Sequence, residues 1–427
     1  MMKRDLVSVR RQVRCRPPSC VAGLAAATTL FLVGSVHSAW AQDVPNTPAK
    51  ALAYEKADRM PPTSFYDTAL PLPPGSPGQV IRSAPTAGYA LPKGVRAVRI
   101  LYHSQSAAGR DVAASEVVLL PAGNPPKAGW PVIVWSHGTS GVARICAPSM
   151  MKDLAYGTEG LFPMVQAGFA VVAVDYAGLG TDGPHQYISL DAQANDVING
   201  ITAAEDKVPH LSPRWVVDGH SQGGGAAWMV AQAPEALRDP NFLGAVSVAG
   251  AVNVAWLMHY LAVNASDSFY AVYLAYGIKA RFPQFNVADM LTRTELSQYR
   301  AMTTKGCWSY GYATQLSHLL GKTAVTPHFA DNPWVKKFIA QNAALIHRPT
   351  RPLLVLAGGA DQSVPPQSIR EVAARACRLG YHLQFRIFPG LDHDPLMDKS
   401  TPYQLSWIRA RFAGQAAPDN CAMLIKH

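Results

Sequence analysis

The stretch Gly219-His220-Ser221-Gln222-Gly223 follows the apolar run Trp215-Val216-Val217 and leads into the close-packed helical stretch 224–230. A strand that breaks into Gly-x-Ser-x-Gly and resumes as a helix holds the serine hydroxyl clear of the sheet. Side chains two residues either side would clash in so tight a turn, so both places need glycine. A serine presented this way is a nucleophile for acyl transfer, and it requires a base and an acid that orients the base. The run Pro352-Leu353-Leu354-Val355-Leu356-Ala357 reads as a buried strand, and it ends in Gly358-Gly359-Ala360-Asp361. The next strand, 383–388, runs into Pro389-Gly390-Leu391-Asp392-His393. Ser221, Asp361 and His393 thus each follow a strand, in the order nucleophile, acid, base, with His393 expected on a loop.

Asp392, Asp394 and Asp398 also lie close to His393. None ends a strand as Asp361 does, and neighbouring acids of this kind cap turns or the following helix. His220 and His137 are read as packing residues rather than as the base. The tetrahedral oxyanion of acyl transfer needs preorganised N–H donors. The backbone N–H of Gln222, just after the nucleophile, supplies one. The loop His137-Gly138-Thr139-Ser140-Gly141, after the strand Val132–Ser136 of the sequence, supplies the other at Thr139.

The elements that must position these groups follow from the same pattern. Strand runs at 98–103, 116–120, 132–136, 170–174, 214–217 and 245–248 alternate, from Pro131 onward, with helical stretches, which is the pattern of a mostly parallel α/β sheet. From 251 to 346 no strand appears. The segment is helical in period and rich in aromatics, including Trp256, Tyr260, Phe269, Tyr270, Tyr273, Tyr276 and Phe282. These are expected chiefly as core, with Tyr270, Tyr273 and Tyr276 on one helix face. Residues 42–95 are proline-rich and read as an extended arm.

His137-Gly138-Thr139-Ser140-Gly141, Cys146-Ala147-Pro148-Ser149, the elbow, and the string Val174-Asp175-Tyr176-Ala177-Gly178-Leu179-Gly180-Thr181-Asp182-Gly183-Pro184-His185 together resemble the secretory lipase family, which includes fungal lipase A-type enzymes. The likeness spans residues 97 to the C-terminus. It implies an α/β-hydrolase fold with a mostly parallel central sheet, a core of 96–250 and 347–427, and a helical lid domain at 251–346. It further implies a secreted serine esterase or lipase, acting on small-molecule or lipid esters, with transient lipid-surface contact through the lid. An exported peptidase or amidase, an acyltransferase, and a silent binding protein on the same fold are the alternatives.

The remaining composition fits. A basic stretch to Arg16, an apolar run over 21–36 and Ala39-Trp40-Ala41 form a signal peptide, cleaved after Ala41, so the chain is expected in the periplasm or the medium. Residues 1–41 carry Lys3, Arg4, Arg10, Arg11, Arg14 and Arg16 against Asp5, about half of the formal charge of +10. No basic-aromatic array points to nucleic acid, and no obligate protein partner is evident. Beyond the leader stand Cys146, Cys307, Cys377 and Cys421, an even set that in an exported chain forms two disulfides. Spacing leaves three pairings open; the family resemblance supports Cys146–Cys307 and Cys377–Cys421. No Cys or His pair has metal-ligand spacing, so neither metal nor cofactor is expected.

Overall fold

The computed structural model describes residues 45–426 except 264–268, 320–322 and 345–350. The expected signal peptide lies outside the described residues. Nine strands form one sheet in the order β1-β2-β3-β5-β4-β6-β7-β8-β9. They are β1 (Val80–Thr86), β2 (Arg96–Gln105), β3 (Asp111–Leu120), β4 (Trp130–Ser136), β5 (Ala170–Asp175), β6 (Leu211–His220), β7 (Phe242–Val248), β8 (Leu353–Gly358) and β9 (Leu383–Phe388). The strands β1 to β3 pair antiparallel, and β3 joins β5 antiparallel; every pairing from β5 through β9 is parallel.

Both faces are covered, which is why the central strands are apolar throughout instead of alternating. Val134, Val172, Val217 and Val355 face one core. That side holds α3 (Leu190–Lys207), α4 (Gln222–Val230) and α11 (Pro366–Arg378). Trp135, Val171, Val216 and Leu354 face the other, against α2 (Phe162–Gln166) and α12 (His393–Phe412). The short α5 (Pro234–Arg238) leads into β7, and α13 (Cys421–Leu424) ends the described chain.

The arm before β2 is not wholly extended. Thr47 caps α1 (Pro48–Asp58), whose Pro48 occupies the first turn and whose interior is rich in Ala. Proline at a helix start costs nothing, because the N–H it lacks would have been unpaired there. Residues 80–86 then join the sheet as its edge strand.

Among the described residues between β7 and β8 lie the helices α6 (Val254–Val263), α7 (Phe269–Arg281), α8 (Arg293–Thr304), α9 (Trp308–Thr314) and α10 (Pro333–Gln341). Phe269, Tyr273, Phe285, Met302 and Phe338 are buried there and continue the core on the α3 side of the sheet. Tyr273 is fully enclosed and its hydroxyl donates to the Cys307 carbonyl, whereas Tyr270 and Tyr276 are only partly buried. Among the described residues, two disulfides join Cys146 to Cys307 and Cys377 to Cys421. The first joins the loop after β4 to the start of α9; the second joins α11 to α13.

Candidate active site

Parallel strands deliver their carboxyl ends to one edge of a sheet, and β4, β6 and β8 there carry the loops named above. Ser221 sits between β6 and α4 with φ 57° and ψ −119°. A non-glycine residue in that region costs about 1–3 kcal/mol, so the surroundings must hold it. The Ser221 N–H donates to the Val248 carbonyl at 2.9 Å, and its carbonyl accepts from Gly225 and Ala251. A Cβ on Gly219 would lie 2.2 Å from the Gly223 carbonyl oxygen, and one on Gly223 1.8 Å from that of Ser136. The two glycines are therefore steric requirements of the turn.

Asp361, buried after β8, spends one carboxylate oxygen on the N–H groups of Ser363 and Val364, at 2.9 and 2.8 Å. The other oxygen meets His393 Nδ1 at 2.8 Å. This fixes the imidazole and commits Nδ1, which leaves Nε2 for proton transfer. His393 lies not on a loop but at the first position of α12, where the Asp392 side chain caps the helix and accepts from the His393 N–H. A helix start orients this ring more firmly than a loop would. Asp392 also accepts from the Gln362 N–H, and Asp398 pairs with Lys399, so neither competes with Asp361.

The His220 ring lies tilted against that of His393, centroids 4.6 Å apart, and its Nε2 donates to the His393 carbonyl at 3.2 Å. The residue before the nucleophile therefore supports the base. His137 turns its Nδ1 to the Gly138 carbonyl. Burial drives the His137 imidazole down to about 3 and that of His220 well below its ordinary value, so both stay neutral.

The Gln222 N–H is at the first position of α4, among the donors a helix leaves unpaired. The Thr139 N–H has no backbone acceptor among the described residues. The Gln222 side chain donates to His185 Nε2 at 3.1 Å, and Thr139 Oγ1 bonds the Tyr187 hydroxyl at 2.8 Å. The partners His185 and Tyr187 were not singled out by sequence spacing; only the glycine-rich string ending at His185 marked the region.

Among the described residues, His220, His393 and Asp394 bring ligand atoms within 4.8 Å of one another. His393 is the residue paired with Asp361, so the trio is read together with that pair. Acyl transfer is the chemistry this arrangement can perform: a strained serine, an oriented imidazole and two backbone N–H groups without a backbone acceptor among the described residues.

The family model described as serine aminopeptidase, S33, matches residues 161–400. Candida antarctica lipase A is similar in structure, with a TM-score of 0.69 at 18% identity, over 88% of this chain and 88% of that one. The rice cell wall degrading esterase LipA from Xanthomonas oryzae has a TM-score of 0.63 at 17% identity, over 79% of this chain and 97% of that one. A putative hydrolase from Legionella pneumophila has a TM-score of 0.66 at 17% identity, over 80% of this chain and all of that one, 100%. At such identities the likeness is one of fold. No curated protein sequence matches the chain.

Proposed function

The chain belongs to the serine aminopeptidase S33 family of α/β-hydrolases, and from that premise we propose that it is an exported serine hydrolase of carboxylic esters, a lipase or esterase. The observation that carries this reading is Ser221 at positive φ on the sheet edge that also holds the Asp361–His393 pair. Support for ester substrates comes from the lipase and esterase among the structural relatives and from the apolar helical insertion at 251–346, read as a cover over the site. An apolar cover excludes water from the ester and offers a surface to aggregated lipid. The two disulfides and the N-terminal leader support export.

In this mechanism His393 Nε2 takes the Ser221 proton as Oγ attacks the ester carbonyl. The N–H groups of Thr139 and Gln222 hold the oxyanion, and His393 returns the proton to the departing alcohol. Water deprotonated by His393 then releases the acid, while Asp361 steadies the imidazolium at each stage.

A second reading, removal of N-terminal residues from peptides, follows the family description and the Asp394 carboxylate beside the base, an anion suited to an α-amino group. Both are tested with the purified protein, Ser221→Ala as control, on p-nitrophenyl esters from acetate to palmitate and on aminoacyl p-nitroanilides. Serine-dependent turnover of esters alone supports the ester reading, and turnover that jumps when long esters aggregate makes the protein a lipase. Turnover of anilides alone overturns the ester reading.

A further inference from the structure

The string from Asp175 to His185 is the most distinctive in the chain, and no step of proton transfer uses it. The string and Tyr187 just after it nonetheless contact both residues assigned to the oxyanion and the strand end before one of them. Gln222 Nε2 donates to His185 Nε2 at 3.1 Å, and Thr139 Oγ1 meets the Tyr187 hydroxyl at 2.8 Å. Tyr176, at the start of the loop, donates to the His137 carbonyl at 2.9 Å and lies against the His137 ring at 4.4 Å.

We propose that the loop from Tyr176 to Tyr187 is the template of the oxyanion pocket, with His185 and Tyr187 as positioning residues that each hold one donor residue by its side chain. This rests on the assignment of Thr139 and Gln222 above. The two donors follow different strands, whose pairing of Ser136 with Gly219 sets the strand ends side by side. Beyond those ends, a single loop grips both donor residues.

The chemistry of the grips fits the task. His185 Nδ1 faces the Ala177 carbonyl at 3.2 Å, so Nδ1 carries the hydrogen and Nε2 is the acceptor for the Gln222 amide. Burial lowers the His185 imidazole to about 4, which preserves that acceptor at neutral pH. The loop is itself anchored. Thr181 Oγ1 accepts from the Gly178 N–H and donates to the Ala113 carbonyl on β3. Gly178 has φ +87°, and a Cβ there would run into the backbone nitrogen of His185, so glycine alone lets the chain fold back and bring His185 to Gln222. Donors held before charge develops need no reorganisation during reaction, and this is where oxyanion stabilisation gains its effect.

The test measures kcat and KM per active site, counted by phosphonate titration, together with the affinity of a trifluoromethyl ketone that forms a tetrahedral adduct with the serine. Tyr187→Phe removes one hydroxyl, His185→Leu removes the acceptor, and His185→Gln restores one. Tyr187→Phe and His185→Leu are expected to lower kcat about tenfold and ketone affinity in the same proportion, with KM within about twofold, as misplaced oxyanion donors do. His185→Gln recovers part of the loss. A merely structural role would lower the titrated fraction and leave kcat per site unchanged. If both kcat per site and ketone affinity stay within about twofold of the parent, while Ser221→Ala is inactive, the proposal is overturned and the ester reading stands. An active Ser221→Ala overturns both.

Discussion

The two sides of the site are held in different ways. On the acid–base side, one chain of contacts runs from the Ser363 and Val364 N–H groups through Asp361 to His393 Nδ1. On the proposed oxyanion side, Thr139 and Gln222 sit in a mesh that includes His185, Tyr187, Tyr176 and the Cys146–Cys307 disulfide. A chain fails at any link, whereas a mesh loses one strand at a time. A mobile proton needs one well-aimed acceptor; a developing oxyanion needs several fixed donors at once.

The largest expected effect breaks the chain. Asp361→Asn should cost about three to four powers of ten in kcat, because the amide donates toward Nδ1 and imposes the wrong tautomer. Circular dichroism and the thermal midpoint should stay near those of the parent. A loss below about tenfold would make Asp361 dispensable and remove the contrast with the oxyanion side.

Next, the disulfides separate stability from catalysis. Removing either should cost roughly 2–4 kcal/mol of stability. Cys146→Ser with Cys307→Ser should also lower kcat per titrated site by about tenfold, since it frees the loop that carries Thr139. Cys377→Ser with Cys421→Ser touches only the far end of α11 and should leave kcat per site within about twofold. Equal kinetic losses in the two variants would show that the first bridge has no special tie to the site.

A smaller effect is expected at Glu55 on α1. Its carboxylate accepts from the N–H groups of Cys307 and Tyr310, capping α9 from outside the insertion. Glu55→Ala should lower stability by about 1–2 kcal/mol, the range for a lost cap, with kcat per site nearly unchanged. Chemical denaturation measures the first and active-site titration the second.

The smallest effect concerns pH. Burial raises the carboxyls of Glu116 and Asp218 well above their ordinary range, Asp175 to about 6 and Asp196 to about 7. The folded chain keeps those protons where the unfolded chain has lost them, so stability rises as pH falls through about 7 toward 4. Buried His137, His185 and His220 act oppositely: the unfolded chain protonates them near pH 6.5 and the folded one only at far lower pH, so stability is lost as pH falls below 6.5. The thermal midpoint should therefore climb from pH 7.5 to 6 and flatten below. A midpoint that falls over the first interval contradicts the assignment of protonated buried acids.

The sequence by itself determined the features that depend on near neighbours in the chain. Apolar runs covered on both faces marked the central strands, and the glycines at 219 and 223 marked the turn at Ser221. Tertiary structure decided what depends on distant segments meeting. His185 reaches Gln222 across 37 residues, Tyr187 reaches Thr139 across 48, and Glu55 reaches Cys307 across 252. A periodic pattern encodes the face that a strand or helix must bury, because that face is repeated along the element. A single side chain closing a contact between two loops repeats nothing, so its partner is fixed only when the whole sheet has set where those loops end.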